Sequence, residues 1–131
     1  MAREIYLNLP VRDLERSKRF FGGLGFGFEP KFSDANAACM IVADNIHVML
    51  LTEPFFRSFT PKAVCDTRES TEVLVCLSCD SDGEIDALVA KAREAGGKAA
   101  REPKDHGFMY QHAFEDPDGH TWELVHMRSQ P

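Results

Sequence analysis

Three groups of side chains in this sequence are of types that carry chemistry. The first is Cys76-x-x-Cys79, with Cys39 and Cys65 elsewhere. Two thiols at that spacing make a redox pair, or half a zinc site, when a turn or helix N-terminus brings the sulfurs together. Here the pair lies in Val73-Leu74-Val75-Cys76-Leu77-Ser78-Cys79, an apolar, β-branched run that reads as a strand. On a strand, residues three apart project to opposite faces. No second pair completes a zinc set. The cysteines are therefore expected as packing thiols. The second group, His106, Tyr110, Gln111 and His112, crowds the entry to one strand. Gln111 shares the parity of Met109 and Ala113, taken as inward; Tyr110, His112 and Phe114 point the other way. His112 is expected as a structural histidine, and His47, His120 and His126 have no ligand spacing with one another. The third group is Tyr6 and Asn8, which alternate onto one face of the first strand, opposite Ile5, Leu7 and Leu9. Such a face suits a pocket wall, where a tyrosine stacks on a ligand or hydrogen-bonds to it. No serine or cysteine sits in a Gly-x-Ser-x-Gly elbow. Gly22-Gly23-Leu24-Gly25 follows a helix instead of opening one, so it is a stop signal and not a phosphate loop.

The elements that must position these groups occur twice. Ile5 to Leu9 reads as a strand, followed by a helix with Asp13 as N-cap and Glu15 in its first turn. Leu14, Ser17, Phe21 and Leu24 fall at helical spacing, and the glycines end the helix. Strands are expected at Phe26 to Phe32, Ala37 to Val42 and Ile46 to Leu51. The order then repeats. Val73 to Cys79 is a strand, and Ser81-Asp82-Gly83-Glu84 is a capping box. Ile85, Leu88, Val89 and Ala92 form an apolar helix face that stops at Gly96-Gly97. Lys98 to Ala100, Phe108 to Phe114 and Thr121 to His126 are strand candidates, with a type I turn at Asp116-Pro117-Asp118-Gly119. The caps Asp13 and Ser81 stand about half the chain apart, which points to a duplicated β-α-β-β-β module. The link from Thr52 to Thr71 carries Phe55, Phe56 and Phe59, which need burial; it closes a pocket, meets a second subunit, or packs on its own domain.

With 131 residues the chain suits one domain, or two small halves fused, and needs no disulfide or metal to fold. Fifteen basic against twenty-one acidic residues give a net charge of −6. That balance, with no basic stripe, argues against nucleic acid and anionic membrane. The longest apolar run, Ala37 to Ala43, is far short of a membrane span, and the charged start Met-Ala-Arg-Glu-Ile is unlike a signal peptide. A cytoplasmic protein is expected.

Two stretches resemble a known group. Leu9-Pro10-Val11-Arg12-Asp13-Leu14-Glu15-Arg16-Ser17-Lys18-Arg19-Phe20-Phe21, followed by Leu24-Gly25-Phe26, resembles the opening of the vicinal oxygen chelate superfamily, the glyoxalase, bleomycin-resistance and extradiol-dioxygenase group. Phe114-Glu115-Asp116-Pro117-Asp118-Gly119-His120-Thr121-Trp122-Glu123-Leu124 resembles its closing signature. The resemblance implies an α+β fold. Two βαβββ modules would form an open, curled mixed sheet around a cavity, with helices outside. It implies a single domain over 1–131, with module one at about 1–52, a linker at about 53–70 and module two at about 71–127. It also implies a homodimer.

Metal-dependent members of that group place four ligands on cavity-facing strands. Laid on this chain, those positions fall on Tyr6, Leu50, Leu74 and Glu123. Only Glu123 is a ligand-type side chain, and one carboxylate does not hold a transition metal. The position resembling the extradiol-dioxygenase tyrosine is Ala113. The expected function is therefore a glyoxalase/bleomycin-resistance-like protein without a metal or other cofactor. It would bind a small, partly apolar molecule in a cavity lined by Tyr6, Asn8, Leu50, Leu74, Gln111 and Glu123. Because Glu123 is the clearest charge there, the ligand should not be strongly anionic. The alternative is a metal-dependent lyase or isomerase of the glyoxalase type, with Glu123 as ligand or catalytic base and a divalent metal bound in another register. A third is an interaction module built on the Phe55–Phe59 loop.

Overall fold

The computed structural model describes residues 3–99 and 101–128. The chain divides into two compact units, 1–64 and 65–131. In the first, β1 (Ile5–Val11) leads into α1 (Leu14–Gly23), then β2 (Gly27–Glu29), a 3-10 turn (Pro30–Phe32), β3 (Ala37–Ala43), β4 (Ile46–Thr52) and α2 (Glu53–Arg57). In the second, β5 (Leu74–Ser78) leads into α3 (Asp82–Glu94), β6 (Lys104–Asp105), β7 (Met109–Glu115) and β8 (Thr121–Met127). Each unit holds one four-stranded mixed sheet, ordered β1-β4-β3-β2 and β5-β8-β7-β6. In each, the first strand pairs in parallel with the last, and the remaining pairs are antiparallel. The duplication read from the sequence is thus repeated strand for strand.

Both main helices start where their caps predict. The Asp13 carboxylate accepts from the Arg16 amide at 3.0 Å. The Ser81 hydroxyl accepts from the Glu84 amide, and Glu84 reaches back to the Asp80 amide at 2.7 Å. Gly25 (φ +106°) and Gly96 (φ +105°) take the left-handed conformation that ends a helix. The first unit buries Leu9, Val11, Leu14, Phe20, Phe21, Val48 and Leu50; the second buries Val75, Ile85, Val89, Trp122 and Leu124. Each such large side chain contributes ~1.5–3 kcal/mol on burial.

Four expectations are corrected. The strand expected over Phe26 to Phe32 stops at Glu29, because Pro30 lacks an amide hydrogen and starts the 3-10 turn. The link after Thr52 opens with α2, which carries Phe55 and Phe56; Phe55 and Phe59 pack edge-to-face at 5.1 Å yet remain exposed, Phe59 by 63%. The strand expected at Lys98 to Ala100 is a single bridge from Lys98 to Glu115, and Ala100 lies outside the described residues. The strand that pairs there with β7 is β6. Finally, Cys76 is exposed and not packed.

Candidate functional site

Strand register decides which side chains share a face. In the second unit Leu74 stands opposite Thr121, and Cys76 opposite Glu123. Across the next ladder Glu123 stands opposite Ala113, Val125 opposite Gln111, and Thr121 opposite Glu115. One face of this sheet therefore carries Leu74, Gln111 and Glu123, as the parity predicts. Trp122, Leu124, His112 and Phe114 occupy the other face and are buried.

A cleft of about 380 Å³ opens on this unit. Leu74, Ala113, Thr121 and Glu123 line it, as does the segment Thr67 to Thr71. Leu74 is 54% exposed and gives the cleft an apolar surface beside the Glu123 carboxylate. Gln111 is not among the lining residues; its amide oxygen meets His106 Nε2 at 3.2 Å.

The segment that walls the cleft is pinned to the Asp116–Gly119 turn. The Thr67 hydroxyl donates to the Asp118 carbonyl. The turn is braced from inside: Asp116 accepts from the Asp118 and His120 amides and from the Trp122 indole, at 2.9, 3.1 and 3.1 Å. Burial pushes the Asp116 carboxyl above its ordinary value, against the opposing pull of His120 and the Trp122 N–H. This signature is therefore the scaffold that sets the start of β8, and with it Glu123.

Three cations at the cleft, Arg68, Lys98 and Arg101, were not singled out from the sequence. Lys98 and Glu115 exchange backbone hydrogen bonds, 3.0 and 2.7 Å, so Lys98 continues the row that runs through Glu115 and Thr121. Arg101 is fixed through its carbonyl, which accepts from His112 Nε2 at 2.9 Å. The buried His112 is thus structural, as expected, and its Nδ1 has no partner among the described residues. Only the glycine stop before Lys98 signalled that the chain turns back here.

In the first unit Tyr6 stands opposite His47, and Asn8 opposite Met49. The Tyr6 and His47 rings stack at 4.8 Å with planes 10° apart. Partial loss of solvent raises the Tyr6 hydroxyl above its ordinary value, with Glu4 and Cys39 adding to the shift. Leu50 stands opposite Leu9 and is 0% exposed. It faces away from Tyr6 and Asn8, so the three do not line one wall. The position that corresponds to Glu123 in this ladder is Met49, because Tyr6 and Leu74 occupy matching places.

The donor set does not fit a transition metal. The matching positions hold a stacked tyrosine, a methionine, a leucine and one carboxylate, and that falls short of the three or four converging N, O or S donors such an ion needs. Among the described residues no group of three or more His, Cys, Asp or Glu side chains could hold a metal ion.

Paired βαβββ units with mixed sheets, each with a parallel first and last strand, define a glyoxalase-type α+β protein. The family model described as Glyoxalase/Bleomycin resistance protein/Dioxygenase superfamily matches residues 5–124, and the chain belongs to that superfamily. No functionally curated protein matches. Among solved structures, the chain is similar to the hypothetical protein SA1046 from S. aureus, with 29% identity and a TM-score of 0.80 over 95% of this chain and 94% of that one. A glyoxalase-related enzyme from Fulvimarina pelagi gives 21% identity and 0.81 over 100% and 92%. TnmS3, an antibiotic binding protein from Streptomyces sp. CB03234, gives 20% and 0.69 over 97% of each. The last two likenesses concern the fold alone. Among the described residues no helix is long and apolar enough to cross a membrane.

Proposed function

We propose that this protein binds a small, partly apolar molecule in the cleft of its second unit, without a catalytic metal. One observation carries the reading. The cleft sets an exposed leucine and Ala113 beside a carboxylate, with no converging set of metal donors among the described residues. Such a surface recognises a ligand by apolar contact and a few polar bonds. Glu123 accepts from a ligand hydroxyl or amine, and Leu74 covers its apolar part. Tyr6 and Asn8 give the first unit an exposed aromatic and polar face of the same character. The superfamily includes bleomycin resistance proteins, and TnmS3 is described as antibiotic binding, which is in keeping with a binding role. A homodimer is part of the proposal.

The test is a pair of titrations on the untagged protein. Ni²⁺, Zn²⁺, Mn²⁺ and Fe²⁺ are expected to leave its amide spectrum unchanged, while a screen of neutral aromatic and aliphatic compounds moves the amides of Leu74, Ala113 and Glu123. Near-stoichiometric metal, lost in Glu123→Ala, would replace this reading with the metal-dependent lyase or isomerase. Sedimentation of the same sample reports the dimer.

A further inference from the structure

The charges at the rim of the cleft say more about the ligand than Glu123 alone. Arg68, Lys98 and Arg101 line it, together with Glu69, Glu115 and Glu123. Arg68 is engaged by Asp66 at 3.1 Å. Lys98 and Arg101 form no side-chain ion pair among the described residues, although three carboxylates line the same cleft. Neither cation sits on a wandering loop. Two backbone hydrogen bonds to Glu115 hold Lys98 in the sheet row, and the buried His112 holds the Arg101 carbonyl. Two cations with fixed backbones and no side-chain ion pair among the described residues, lining one concave surface, form a place for an oxyanion.

Resting on the binding role proposed above, we infer that the ligand carries one oxyanion group, a carboxylate or a phosphonate. Lys98 and Arg101 hold that group. Leu74 and Ala113 cover the apolar part, and Glu123 accepts from a hydroxyl or amine at the far end. This sharpens the sequence-based expectation of a ligand that is not strongly anionic. A ligand with a second anionic group is disfavoured, because Glu69, Glu115 and Glu123 line the rest of the same cleft.

Three probes built on the same phenyl ring separate the possibilities: benzoate, phenylphosphonate and benzyl alcohol, each titrated at constant ionic strength while the amides of Leu74, Ala113, Glu115, Thr121 and Glu123 are followed. At least one anion is expected to bind roughly tenfold tighter than benzyl alcohol, the gain of one charge-assisted hydrogen bond. The stronger of the two anions identifies the oxyanion. In Lys98→Met/Arg101→Met that advantage disappears while benzyl alcohol binds as before, which also shows that the variant is folded. If benzyl alcohol binds as tightly as both anions, or the anions keep their advantage in the double variant, the inference fails and the binding role stands. If none of the three shifts these amides, both fail.

Discussion

Gly119 lies against the backbone of Thr67 so closely that a Cβ on it would stand 2.5 Å from the Thr67 carbonyl oxygen. Its φ of +88° is also one that side-chain-bearing residues avoid. The wall segment of the cleft and the turn before β8 are thus built around a missing side chain. Gly119→Ala is expected to destabilise the protein by more than Gly25→Ala. Both incur left-handed strain of about 1–3 kcal/mol, but nothing lies within 4 Å of the Cβ at Gly25. Denaturant melts of the two variants measure the difference. Equal losses would mean that the Thr67 segment yields freely.

Arg128 ties α3 to the end of β8. Its guanidinium bonds both Asp82 and Asp105 and lies 5.3 Å from the Tyr110 ring centroid. Those bonds, with His126 on Asp82 and the Gly107 amide on Asp105, hold both carboxyls below the ordinary aspartate range. A lowered carboxyl stabilises the fold above its unfolded pKa of about 3.9, and the contribution is lost as pH falls through the lower folded value. Arg128→Met should therefore melt below the parent at pH 6, and the gap should close below about pH 4. Thermal melts across that range decide it; a gap that stays constant with pH would assign the effect to packing.

Tyr110 donates to the Asp86 carboxylate at 2.6 Å. That bond, then burial, pushes the hydroxyl up to about 12. Since the chain holds two tyrosines, Tyr6→Phe leaves Tyr110 alone in an ultraviolet titration. The midpoint should fall near 12 and move down in the added Asp86→Ala variant. The stabilisation is present below the ordinary tyrosine value of about 10 and is lost as pH rises through the folded one. An unchanged midpoint in the Asp86 variant would leave the hydrogen bond without a role.

How far the sequence reached depended on alternation. β7 and β8 alternate buried and half-buried residues, so the faces of Gln111, Glu123 and Trp122 were legible from residue type. Val48-Met49-Leu50-Leu51 is apolar throughout and offers no such check. Its faces are set by parallel pairing with β1, a long-range choice, and Leu50 turned out on the buried side. Lys98 and Arg101 were hidden for a related reason. Residues 98 to 108 carry little periodicity, and Lys98 and Arg101 are placed by Glu115 and by a histidine whose acceptor is a distant carbonyl.

Cys76 and Cys79 flank the end of β5, and both thiols are pushed above their ordinary value, Cys79 to about 11. Burial comes first in each; Glu123 adds to Cys76, and Glu84 and Asp80 add to Cys79. Because the thiolate is the nucleophile, a thiol at about 11 offers roughly one part in a thousand at pH 8. Cys76 shares the face of Glu123, and residues three apart on an extended chain are too distant for a disulfide. Mild oxidation followed by peptide mass spectrometry should therefore show no bond between the two. Glu123→Gln removes the neighbouring negative charge and should speed alkylation of the exposed Cys76 while leaving Cys79 slow. Rapid closure of a Cys76–Cys79 disulfide would overturn the register on which the Glu123 face rests.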